Sequence, residues 1–152
     1  MIAFLNRPGF LGTFASLRAD LSLILIIMTA VLLTIGWRLA VHKKFAAHQL
    51  VQNLAVAMNL VVVLLAMVGI FVQQYLPAIP GNLDNQVLAL TSIHAFTGVL
   101  GLLYGVYVAL CGNAFLPGKL RFNNFKTFMR ISYALYMMVT IGGVILYLTL
   151  YG

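Results

Sequence analysis

Residues 50–75 read LVQNLAVAMNLVVVLLAMVGIFVQQY. The stretch carries no charge, and apart from Tyr75 its strongly polar side chains are all amides. A helix needs about 20 apolar residues to cross a hydrocarbon core of about 30 Å. This run exceeds that length, so the span is tilted or its start lies in the interface. A helix on the surface of a soluble protein would show a charged face opposite its apolar stripe, and none is present here. The solvent for this stretch is lipid.

Three further runs have the same character: Leu21–Ala40, Val87–Leu110 and Ile131–Tyr151. Arg38 is the only charge within any of the four, and its long stem can carry the guanidinium out to the headgroups. The whole chain is 63% hydrophobic and 7% charged, where soluble domains run near ~45–50% and ~25%. Its mean hydropathy is +1.06. Too few charges remain to coat a soluble fold, so an ordinary cytosolic domain and a disordered tail are excluded. The single Cys111 excludes a disulfide scaffold. The expected fold is an all-α integral membrane bundle of four transmembrane helices, up and down, over residues 21–152. A version with three spans and one re-entrant segment remains open.

The connections are residues 41–49, 76–86 and 111–130, with Pro77, Pro80 and Gly81 breaking the helix in the second and Pro117-Gly118 turning the third. Residues 1–20 differ in character. Phe4, Leu5, Phe10, Leu11, Phe14 and Leu17 are interspersed with Arg7 and Arg18. There is no long apolar run followed by a small-residue cleavage site, so a cleaved signal peptide is not expected. An amphipathic segment from about Phe10 to Arg18, lying in the interface, is the expectation.

Orientation follows from the basic residues. Arg38, Lys43 and Lys44 lie around the first connection, and Lys119, Arg121, Lys126 and Arg130 around the third; the second holds Asp84 and no cation. The net charge of +7 is therefore a topology signal, not a nucleic-acid footprint. The positive-inside rule places both basic connections in the cytoplasm and both termini outside, in a bacterial cytoplasmic membrane. Trp37, Tyr75, Phe128 and Tyr151 sit near span ends, as interfacial aromatics do.

Polar residues inside a span are costly and mark candidate sites. On span two, His48, Gln52 and Asn59 nearly coincide on one face at about 100° per residue. They are a polar path or pocket, or they hydrogen-bond to neighbouring helices. On span three, His94, Gly98, Gly101, Gly105 and Ala109 form a small-residue face. It suits close helix packing or a flat ligand, and a buried imidazole needs a hydrogen-bond partner or a metal. On span four, Tyr136, Thr140, Gly143 and Tyr147 share a face, with His94 as one candidate partner for the tyrosine hydroxyls. Met67 and Met28 fall near the depth of His94. The candidate cofactor-binding residues are thus His94, Met67, Gly98, Gly101, His48, Gln52 and Asn59.

A haem held by two histidines of one chain fails on geometry. His48 and His94 stand roughly 30 Å apart along the membrane normal at ~1.5 Å per residue. A His94–Met67 haem, a histidine from a partner subunit, or a pigment with His94 as sole ligand remain open, as do a quinone and no cofactor at all. There is no Glu, and Asp20 and Asp84 are expected outside the spans, which removes carboxylate chemistry from the membrane. No phosphate loop, nucleotide fingerprint or zinc-protease motif occurs. No internal repeat of the kind that secondary transporters are built from is present.

The run WRLAVHKKF, the segment LTSIHAF and the final FNNFKTFMRISYALYMMVTIGGVILYLTLY resemble a family of small bacterial membrane proteins. That family is catalogued as domain of unknown function four-twenty and is associated with maturation of haem–copper terminal oxidases. The resemblance covers roughly Trp37 to Tyr151. It implies that His42 and His94 match two of the family's histidines. Asn123 or Asn124 stands where another would be, and the outer half of span two lacks a further one. The expected function is a non-catalytic accessory subunit or assembly factor of a membrane electron-transfer complex, respiratory or photosynthetic, partnered by the bilayer and by other membrane subunits. The alternative is a haem- or quinone-binding electron carrier using His94.

Overall fold

The structure is a computed structural model that describes residues 6–81 and 85–152. Asp84 and the first five residues of the N-terminal segment lie outside the described residues. Four helices are long and apolar enough to cross a membrane: Leu17–Val41, Phe45–Ile79, Gln86–Gly112 and Phe125–Tyr151, spans one to four. No strand occurs among the described residues. Span one packs most closely on span two and span three on span four, and contacts of one with four and of two with three close the ring. Leu64, Leu65, Ile93, Phe96, Ile141 and Leu148 are exposed on its outer surface. An apolar exterior of this kind suits lipid.

Each span is longer than its apolar run because the helix continues to a capping side chain. Ser16 accepts from the Ala19 amide, Asn85 from those of Val87 and Leu88, and Asn124 from that of Thr127. Such caps satisfy amides that have no partner inside the helix. Spans one and three end with Lys43 and Ala114 at φ 59°. The next amides, those of Lys44 and Phe115, reach back to the Leu39 and Leu110 carbonyls. This left-handed closure satisfies the last carbonyls of a helix.

Span two is not a plain helix. It is α-helical over Phe45–Val62, passes through π turns at Val63–Met67 and Phe71–Tyr75 around a short α segment, and tightens to a 3-10 turn at Leu76–Gly81. A π turn closes its hydrogen bond one residue later than an α turn and often marks a functional stretch. The extra length noted in the sequence is taken up partly in these wider turns.

In the N-terminal region one expectation is corrected. Residues 6–16 fold as turns, with Pro8 bridging to Ser16 and Gly12 at φ +74°, and helix begins only at Leu17. Asp20 is not outside the spans: it lies in the first turn of span one and is fully buried. Its Oδ2 accepts from the amides of Phe10 (2.7 Å) and Leu11 (2.9 Å), and its Oδ1 accepts from the Tyr147 hydroxyl (2.5 Å). Three donors and a helix N-terminus replace the water that the carboxylate gives up. Gly9 has to be glycine here, because a Cβ would collide with this carboxylate. Asp20 therefore pins both the N-terminal turn and the end of span four onto span one.

Candidate functional site

At the end of the bundle that carries the basic connections, buried polar groups are partnered. His48 Nδ1 donates to the Gly36 carbonyl at 2.8 Å, and Gln52 Nε2 donates to the Leu33 carbonyl at 3.4 Å. Gly36 permits this approach: a Cβ there would stand 2.7 Å from Gln52 Nε2. Asn53 and Asn113 exchange amide hydrogen bonds of 2.8 and 2.7 Å between spans two and three, and Gln49 adds another to Asn113 at 2.8 Å. Phe122 stacks on Phe128 at 4.0 Å, and Arg121 donates to the Leu116 and Ala114 carbonyls.

Further along the bundle the four spans separate around a cavity of about 540 Å³. Five of the seven candidates border it: Asn59, Met67, His94, Gly98 and Gly101. Tyr136, Thr140, Gly143 and Tyr147 of span four border it too, as do Val63, Phe71 and Tyr75 from the π turns. The two wide turns are thus part of the cavity wall. On span four the lining runs from Tyr136 to Tyr151, about 22 Å at 1.5 Å per residue. Most of the wall is apolar, and Tyr75, Tyr147 and Tyr151 lie at the end where spans two and four finish.

His48 and Gln52 do not belong to this site. The continuous stripe expected from His48 through Asn59 is interrupted, because span one covers its first two members and satisfies them. His42 is exposed at the end of span one. Met28 is exposed as well.

The span-three glycines also divide. A Cβ on Gly105 would collide with the Tyr136 ring, so this position makes room for that side chain. A Cβ on Gly98 or Gly101 would meet only Val139, at ordinary distances of 3.8 and 3.7 Å. Those two glycines widen the cavity and are not required for helix contact.

His94 is half-buried. Its Cε1 lies 3.1 Å from where a Gly143 Cβ would be, and its Nδ1 lies 3.5 Å from that position at Gly142. The ring edge bearing both nitrogens is seated in a two-glycine notch of span four. Tyr147 is not its partner, since that hydroxyl serves Asp20 and Thr13.

Two polar groups on the wall are incomplete. Asn59 is 3% exposed and Tyr136 is 4% exposed. The two side chains face each other closely enough to interact, yet neither Asn59 Oδ1 nor the Tyr136 hydroxyl completes a hydrogen bond of ordinary geometry. By contrast, the Thr91 and Ser92 hydroxyls on the same wall donate to carbonyls of their own helix. Buried polar atoms without partners are rare, and each calls for an explanation. A depression of about 520 Å³ beside the third connection, lined by Leu103, Tyr107 and Arg121 among others, holds no such atom.

Sequence spacing alone did not reveal Asp20 as a core residue or Tyr136 as an unpartnered one. The signal for Asp20 was a carboxylate placed just after a helix-capping serine. For Tyr136 it was a hydroxyl at mid-span facing a glycine. Compared with known protein families, curated proteins and solved structures, the chain matches none of them.

Proposed function

We propose that this membrane protein binds a lipid-soluble small molecule in the cavity between its four spans. In doing so it would serve as a non-catalytic accessory subunit or assembly factor beside a larger electron-transfer complex. The observation that carries the binding role is the pair Asn59 and Tyr136, buried and unpartnered on the wall of an otherwise apolar cavity. Ligand sites of several hundred Å³, mostly apolar with a few convergent polar groups, have this composition. The π turns bordering the cavity support the same reading. The electron-transfer setting rests on the resemblance to the oxidase-maturation family. A bacterial cytoplasmic membrane, with both basic connections inside, rests on the distribution of Lys and Arg. The electron-carrier alternative rests on His94, which borders the same cavity.

The test is to purify the full chain from bacterial membranes in mild detergent, extract it with organic solvent and identify what is bound by mass spectrometry. The proposal expects a lipid-soluble molecule in near-stoichiometric amount that is lost from a Gly98→Leu variant, whose side chain fills the cavity. Protein that carries nothing, or a Gly98→Leu variant that retains the molecule, contradicts it. A haem absorption band that disappears in His94→Ala would establish the alternative.

A further inference from the structure

We infer that the cavity selects a ligand bearing a hydroxyl head group, a lipid-soluble phenol or alcohol such as a quinol, and discriminates against the corresponding carbonyl. This rests on the reading of the cavity as a binding site.

The two incomplete atoms differ in chemistry. Asn59 Oδ1 can only accept a hydrogen bond, whereas the Tyr136 hydroxyl has a proton to give. Both are buried and, although they face each other, neither completes a hydrogen bond of ordinary geometry; the residues that carry them both border the cavity. One hydroxyl placed between them satisfies both: its proton goes to Asn59 Oδ1, and its oxygen accepts from Tyr136. A quinone carbonyl can accept from Tyr136 but has nothing to donate to Asn59, so a buried acceptor would remain unmet.

Shape points the same way. The polar pair stands at one end of the cavity, and the apolar wall continues from it for about 22 Å along span four. A polar head at that end with a hydrocarbon tail running toward Tyr75 and Tyr151 fills such a space. No charged side chain borders the cavity beside Asn59 and Tyr136 to receive a phospholipid head there; the buried Arg18 lies toward the opposite end, against Gly69. Gly98 and Gly101 leave the span-three wall flat beside this path, which suits a ring.

The experiment measures binding of three probes to the full chain in detergent under argon: a decyl-substituted benzoquinol, the matching benzoquinone, and the dimethyl ether of the quinol. The quinol is expected to bind about tenfold more tightly than either of the others, the scale of one satisfied buried hydrogen bond. Asn59→Leu is expected to abolish that preference while leaving residual binding through the tail, whereas Tyr136→Phe is expected to weaken all three probes alike and keep the preference. Equal binding of all three overturns the hydroxyl selectivity and leaves the binding site standing. Tighter binding of the quinone also overturns it and shows that Asn59 presents its NH₂ to the ligand. If no probe binds to folded wild-type protein, the hydroxyl selectivity is overturned, and the solvent extraction described above decides separately whether the cavity holds another ligand.

Discussion

Two successive stretches of span two meet the same problem with opposite outcomes. At its start, His48 and Gln52 bring polar groups into the bundle, and the span-one carbonyls of Gly36 and Leu33 receive them. About two turns further along the same α-helical segment, Asn59 brings in another just before the helix widens into π turns at Val63, and its amide oxygen is left without a partner. A polar group in lipid that the protein satisfies is structural. One placed with equal care but left unsatisfied is available to something else. That contrast separates packing residues from site residues on one face of one helix.

The largest test of the partnered class is Asp20, whose carboxylate gathers three donors from two segments. Asp20→Ala should lower stability by on the order of 3 kcal/mol, read as thermal unfolding in detergent. A change within error would mean that the N-terminal turn and span four do not depend on it. Next comes Gly105→Ala, which drives a methyl into the Tyr136 ring and should cost about 2 kcal/mol. Gly101→Ala, on the same face four residues earlier, should fall within about 0.5 kcal/mol. Comparable losses at both positions would erase the distinction between a packing glycine and a cavity glycine. His48→Phe, which breaks the bond to Gly36, should cost about 1–2 kcal/mol, the penalty for an unmet buried acceptor. Smallest in magnitude but opposite in sign, Asn59→Leu should leave ligand-free stability unchanged or raise it by a few tenths of a kcal/mol, since it removes an unsatisfied group. A clear loss at Asn59 would move it into the structural class with His48.

The four spans were legible in the sequence because lipid admits few ways to bury a backbone, and residues 50–75 satisfy one of them without a single charge. Their true starts were not, because the caps Ser16, Asn85 and Asn124 are polar and fall outside any apolar window. Helical periodicity placed Asn59, His94, Gly98 and Gly101 on shared faces, depth put Met67 level with His94, and the cavity gathers all five. It placed His48 and Gln52 on the same face as Asn59, because periodicity reports a direction and not what stands opposite at that depth. The deciding partner was the backbone of Gly36, which no side-chain pattern announces. The π turns within VLLAM and FVQQY carry no proline or other break to reveal them. Asp20 was misplaced because a charge is expected to leave a span, whereas here the chain before it folds back to supply amides.

The central claim is that Asn59 and Tyr136 are held for a ligand and not for the fold. It is tested most directly by thermal unfolding of lipid-stripped wild type and of the Asn59→Leu/Tyr136→Phe double variant, each with and without decyl-benzoquinol. A ligand that binds only the folded state raises its stability in proportion to occupancy. The account predicts a double variant as stable as the stripped wild type and a quinol-induced rise in the wild type alone. A double variant that unfolds earlier, or that gains the same rise from quinol as the wild type, would contradict it.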